Sequence, residues 1–203
     1  MRSRRAVAIA ALCLLLFGCD RLTGTANRPA FHSTDISGVD FARKLELPDA
    51  DGRMRTLADW KGKAVVVFFG YTQCPDFCPT TMAQLAAIKK SLGADGERVE
   101  VVFITVDPER DTPAVMKAYV ANFGSGVVGL RGSMEQTAAV AKEFKAFYAK
   151  AAGTTPGSYS MDHSAASYVF DPQGRVRLYV QYGADPKALA ADLKQLLAES
   201  GAV

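Results

Sequence analysis

Two near-continuous apolar runs, Ala64-Val-Val-Val-Phe-Phe69 and Val99 to Val106, dominate the pattern of this chain beyond its N-terminus. Short runs rich in β-branched residues fit strands covered on both faces, so both are expected near the centre of a sheet. Between and after them the period changes. Met82, Leu85, Ala86, Ile88 and Leu92 recur at helical spacing and stop at Gly93, a favourable residue just past a helix end. A second helix is expected from Thr112-Pro113 through Val115, Met116, Tyr119, Val120 and Phe123 to Gly124. The capping-box pattern Ser133-Met-Glu-Gln136 opens a third, expected to carry Val140, Phe144, Phe147 and Tyr148. Asp185-Pro186 opens a fourth, with Leu189, Leu193, Leu196 and Leu197 on one face.

Turn signals supply the rest. Leu45 to Leu57 reads as two short strands around Asp51-Gly52, and Ala166–Phe170 with Arg175–Val180 flank Asp171-Pro-Gln-Gly174 as an antiparallel hairpin. The Gly-rich apolar stretch 124–132 leaves room for one more short strand. Strands alternating with helices, closed by a hairpin and a helix, predict an α/β fold: a thioredoxin-like mixed sheet of four or five strands flanked by helices, with an N-terminal β-hairpin extension.

The N-terminal eighteen residues follow a different pattern. A basic Met-Arg-Ser-Arg-Arg start and an apolar stretch from Ala6 to Phe17 have the form of a secretory signal, too short for a membrane span. The stretch ends Leu16-Phe17-Gly18-Cys19, which resembles the lipobox of bacterial lipoproteins and makes Cys19 the expected lipid attachment site. Asp20 directly after it resembles lipoproteins retained at the inner membrane and facing the periplasm. Residues 1–18 are therefore expected to be a signal, 19–36 a polar lipidated tether, and 37–203 the folded domain. Removing 1–18 takes three of the 24 basic residues and none of the 21 acidic ones, leaving 21 against 21. The net charge of +3 thus resides in the signal, and no basic face for nucleic acid is implied.

Of four cysteines, Cys13 leaves with the signal and Cys19 is expected to be acylated, so only Cys74 and Cys78 remain. They follow the first central strand and open the first helix, with Pro75 and Pro79 confining the pair to its first turn. The positive end of the helix dipole is expected to ease ionisation of both thiols, and spacing of four is expected to turn both one way. Such a pair can exchange disulfides or hold a soft metal. A structural disulfide is the duller reading for an exported chain. Zinc normally requires four closed ligands, which this sequence scarcely offers. A second segment, Tyr159-Ser-Met-Asp-His163-Ser164, precedes the late hairpin where a thioredoxin fold carries a cis-proline loop. Two sulfurs plus the His163 imidazole suit copper, although a buried or capping histidine is an equal alternative at this point. His32 reads as a solvated tether residue and Asp76 as exposed; Asp107 and Asp111 end a central strand where such sheets often place active sites, with helix capping the plainer role, particularly for Asp111, and a contact to the site the lesser reading for Asp107.

Three separated motifs in order resemble the Sco/SenC proteins: Phe69-Gly-Tyr-Thr-Gln-Cys-Pro-Asp-Phe-Cys-Pro-Thr-Thr81, Val106-Asp-Pro-Glu-Arg-Asp-Thr-Pro113, and Asp162-His-Ser-Ala165 with Asp171-Pro-Gln-Gly174. The resemblance runs from Thr34 to the last helix. It implies a membrane-anchored, thioredoxin-like copper protein that assists assembly of the CuA centre of cytochrome c oxidase. Cys74, Cys78 and His163 would be its copper ligands. The implied partners are the oxidase subunit carrying CuA and another periplasmic copper chaperone or thiol reductase. Gln73 departs from the His found there in many members, at a position outside the three ligands. The alternative activity is a thiol-disulfide oxidoreductase that keeps the CuA cysteines reduced, with Cys74 and Cys78 as the redox pair. A peroxiredoxin-like enzyme is disfavoured, because Tyr71 stands where that family has Thr or Ser.

Overall fold

In the computed structural model, residues 30–153 and 155–200 are described; the signal segment, Cys13 and Cys19 lie outside them. The two apolar runs become adjacent parallel strands, β4 (Ala64–Gly70) and β5 (Val99–Thr105), every residue of which is buried. Parallel neighbours need a crossover, and the helix α1 (Phe77–Ser91) supplies it. Even the one charged residue of the pair of strands, Glu100, is buried, and Lys63 reaches it at 2.8 Å.

The elements around this centre are β1 (Thr34–Asp35), β2 (Glu46–Pro48) and β3 (Met54–Thr56) before it. After it come α2 (Pro113–Ala121), β6 (Val127–Leu130), α3 (Met134–Glu143), β7 (Tyr148–Ala152), β8 (Tyr159–His163), β9 (Ser167–Phe170), β10 (Val176–Val180) and α4 (Pro186–Ser200). The main sheet has the order β1-β10-β9-β4-β5-β6, with β4, β5 and β6 parallel and the others antiparallel to their neighbours. Six strands exceed the four or five expected: β6 fills the Gly-rich stretch, and β1 adds to β10 from a segment polar enough to read as tether. That segment is fixed from the other side by Asp192 of α4, whose carboxylate accepts the amides of His32 and Ser33 at 2.8 Å each. The hairpin β2–β3 forms where the Asp51-Gly52 turn placed it, and Arg131 N donates to Pro48 O at 2.9 Å to tie it beside β6.

The expected third helix is corrected too. Helix α3 does not continue through Phe147 and Tyr148 but stops at Glu143, and the chain turns into the hairpin β7–β8, a separate two-stranded sheet. The stop is made by Lys145, which takes a left-handed conformation with φ 52°. Ala146 N then donates to Ala141 O at 2.8 Å and Lys145 N to Lys142 O at 3.1 Å, the double closure usually built on glycine. With lysine there, no sequence signal marks the end. The apolar recurrence misleads as well: Phe144 is fully buried against the rings of Phe69, Tyr168 and Phe170, whereas Phe147 is 62% exposed.

Candidate metal centre

Strand β4 delivers the chain to the site through Gly70. A Cβ at this position would lie 2.8 Å from both Cys78 Sγ and the Phe103 ring, so the glycine is what lets α1 bring its sulfur against the strand end. The turn Tyr71 to Asp76 follows, at the carboxyl end of a central parallel strand where open α/β sheets commonly place ligands. Asp76 is the N-cap position of α1, so Cys78 lies in the first turn and Cys74 lies before the helix. The two sulfurs therefore do not meet by sharing a helix face. The turn folds Cys74 back until its Sγ accepts the backbone N–H of Cys78 at 3.4 Å. One of the helix's free amides is thereby occupied by sulfur.

His163 arrives from the end of β8. Its Nε2 lies 3.4 Å from Cys78 Sγ, and its Nδ1 lies 3.0 Å from the carbonyl of Ser164. A carbonyl only accepts, so Nδ1 carries the proton and Nε2 presents a lone pair to the sulfurs. The ring stands edge-on to Phe68 and Tyr71, with centroids 6.0 and 5.9 Å away. Cys74, Cys78 and His163 place their ligand atoms within 4.8 Å of one another, and among the described residues no other Cys, His, Asp or Glu group of three comes this close. Both cysteines are free thiols. Two soft sulfurs and one neutral imidazole nitrogen fit a soft, thiophilic cation such as Cu(I).

Burial reverses one expectation about reactivity. Cys78 is fully buried, and desolvation pushes its thiol well above the ordinary cysteine range despite its place in the first turn. A helix terminus contributes at most about 2 kcal/mol to a favourably placed charge, whereas full burial can shift a pKa by about 3–5 units. Desolvation therefore outweighs the dipole here. Burial also lowers the pKa of His163, which keeps the imidazole neutral and its lone pair available. A cation among the three donors would supply the charge that the buried thiolates lack.

The acidic residues behind the site build its frame. Asp111 does not cap α2; Thr112 does, accepting from Val115 N at 3.3 Å. Asp111 is instead fully buried and accepts from Thr72 N at 3.0 Å, Thr72 Oγ1 at 2.5 Å and Thr105 Oγ1 at 2.5 Å, clasping the cysteine turn to the end of β5. Asp107, also buried, accepts from Tyr159 Oη at 2.9 Å and pairs with Arg110. Burial and that hydrogen bond push Tyr159 up to about 12, so it remains a donor. Arg110 further donates to Tyr159 O at 2.8 Å and to Gln73 Oε1 at 3.3 Å. Sequence reasoning gave Arg110 and Tyr159 no role. The three-residue separation of Asp107 and Arg110 was the available signal for an ion pair, but the partner across 49 residues had none. Asp76 is exposed, and Thr80 Oγ1 donates to it at 3.3 Å. His32 is exposed, held through its backbone only in the contacts above, and outside the group of three. No helix among the described residues is long and apolar enough to cross a membrane.

Comparison with known proteins agrees with this arrangement. A family model described as SCO1/SenC matches residues 34–198. An SCO2-like protein of Rickettsia felis is 32% identical over 191 residues, covering 93% of this chain and 91% of its own. Among solved structures, Bradyrhizobium japonicum ScoI with copper bound is 38% identical with a TM-score of 0.68, over 75% of this chain and 97% of that one. Apo Sco1 from Thermus thermophilus is 35% identical with a TM-score of 0.73, over 82% of this chain and 97% of that one. The family match spans the β4–α1 cysteine turn, the Asp107–Asp111 loop and the His163 strand alike, and the chain belongs to the SCO1/SenC family of thioredoxin-like proteins.

Proposed function

We propose that this protein binds copper through the sulfurs of Cys74 and Cys78 and Nε2 of His163, and hands it on during assembly of the CuA centre of cytochrome c oxidase. The observation that carries the reading is the convergence of three ligand atoms within 4.8 Å on a turn, a helix start and a strand end. Copper is cargo here, so the site must release it as well as hold it. Cys74, 8% exposed against full burial of Cys78, is the sulfur through which a partner's thiolates would begin ligand exchange. Cys19 would carry the lipid that holds the domain at the inner membrane, facing the periplasm. The oxidase subunit carrying CuA would be the recipient, and another periplasmic copper chaperone or thiol reductase would load or reset the pair.

Anaerobic titration of the reduced protein with Cu(I), beside Cys74→Ser, Cys78→Ser and His163→Ala, tests this reading. One copper per chain is expected, with weakened binding in each variant. Absence of stoichiometric copper, or full affinity in His163→Ala, would sink it. The closeness of two free thiols also supports a second reading, dithiol exchange that keeps target cysteines reduced: one thiolate attacks the target disulfide and the other resolves the mixed disulfide, leaving Cys74–Cys78 oxidised. That activity should largely survive His163→Ala.

A further inference from the structure

Arg110 touches both halves of the site without offering a ligand atom. Its guanidinium lies 3.7 Å over the Tyr159 ring and 5.7 Å from the centre of the Tyr71 ring. Through Nη1 it donates to the Tyr159 carbonyl and to Gln73 Oε1, and through Nε to Asp107. Gln73 is the residue before Cys74, Tyr71 opens the cysteine turn, and Tyr159 opens the strand that ends at His163. One planar group thus spans the segment that carries the sulfurs and the strand that carries the imidazole.

The strand needs such a tie. Among the described residues β7 and β8 pair only with each other, so no backbone ladder carries β8 onto β4. What fastens the hairpin is Met161 buried in the core, Lys150 paired with Glu109, and the Arg110–Asp107–Tyr159 cluster. Residues Asp107, Glu109 and Arg110 all come from the loop after β5. That loop is itself fixed to the cysteine turn by Asp111 and Thr72.

We propose that Arg110 is a positioning residue that sets the distance between the His163 imidazole and the Cys74–Cys78 pair by latching β8 to the cysteine turn. The inference rests on the copper reading for its consequence, not for its geometry. Lysine cannot replace the latch, because a point-like ammonium lacks the fork that meets a carbonyl, an amide oxygen and a carboxylate while stacking on a ring. The Tyr159 hydroxyl is the smaller part of it, since Phe at 159 keeps both the ring and the carbonyl.

Two measurements on the full chain test the latch. In the metal-free reduced protein, NMR cross-relaxation between the Tyr71 and His163 rings reports whether the imidazole is still held at the turn. In the copper-loaded protein, competition against a chromogenic Cu(I) chelator reports affinity. Arg110→Met and Arg110→Lys are both expected to lose the ring cross-relaxation and to bind Cu(I) about 10–100-fold more weakly, the range for losing a partner that orients a metal ligand. Tyr159→Phe is expected to keep the cross-relaxation and to lose less than about tenfold, as for one hydrogen bond. Unchanged cross-relaxation in both Arg110 variants overturns the proposal, as does full recovery of affinity by Arg110→Lys. Wild-type protein that binds no copper instead overturns the reading of function, while the NMR measurement still decides the latch.

Discussion

The sulfurs and the imidazole reach one point from regions that are held in opposite ways. The cysteine turn issues from β4, a strand hydrogen bonded on both sides and buried throughout, and Asp111 grips it with two hydrogen bonds from Thr72 while taking a third from Thr105 of β5. Among the described residues the two strands of the β7–β8 hairpin that ends at His163 pair only with each other, and ion pairs and cations over the Tyr159 ring do the fastening. Backbone ladders buried on both faces open only when the domain unfolds, whereas elements with few such bonds open at lower cost. A site built this way keeps its thiols in fixed register and leaves the imidazole as the group whose place depends on side-chain ties.

Substitutions on the two sides should separate accordingly. The largest loss of stability is expected for Phe144→Ala, which empties the core position between the sheet and the start of the hairpin and should cost about 3–5 kcal/mol in urea denaturation. Next comes Asp111→Ala. It strands the Thr72 amide and two threonine hydroxyls, and about 3 kcal/mol is expected, since each abandoned buried group costs roughly 1–3 kcal/mol and the turn can partly relax. If that variant melts like wild type, the cysteine turn is not held as described. Gly70→Ala forces the Cys78 sulfur and the Phe103 ring away from an added methyl, for about 1–3 kcal/mol of overpacking. A rise in the reactivity of Cys78 toward a thiol-alkylating reagent should accompany it, because the buried sulfur must move.

The hairpin side should respond more weakly, and once in the opposite direction. Lys145→Gly relieves a left-handed lysine and should stabilise the protein by about 1 kcal/mol, read as a higher midpoint of thermal unfolding. A lower midpoint would mean that the lysine side chain, which lies 4.3 Å from the centre of the Phe41 ring, outweighs its backbone strain. Lys150→Ala breaks an exposed pair with Glu109 and should change stability by less than about 1 kcal/mol. It sharpens the comparison by setting the exposed pair against the half-buried Arg110 cluster, to which the latch is assigned.

The readable parts of the site were those encoded locally. The apolar β4 run, the prolines flanking the cysteines and the glycine after α1 all act within a few residues, so the strand, the helix start and the isolated thiol pair are legible from residue order alone. His163 stood out by residue type and by its place before the β9–β10 hairpin. Its neighbours did not. Lys145 ends α3 without the usual glycine, so β7–β8 stayed hidden behind a helical recurrence, and Tyr159-to-His163 read as a loop. Asp111 looked like a helix cap because the sequence before Pro113 permits one; the real acceptor, Thr112, is its neighbour.

By itself the sequence determined which groups could do the chemistry: two thiols at a strand-to-helix turn and one histidine far along the chain, in a frame of alternating strands and helices. Tertiary structure decided how they meet. The sulfurs converge by a turn that folds Cys74 back onto the Cys78 amide, not by a shared helix face. Burial sets the protonation of Cys78 against the helix dipole, because removing water from a thiolate costs more than the helix terminus returns. And Arg110 ties Gln73 to Tyr159 across distances in the chain that no local pattern reports, since a hydrogen bond depends on where two atoms lie in space and not on how many residues separate them.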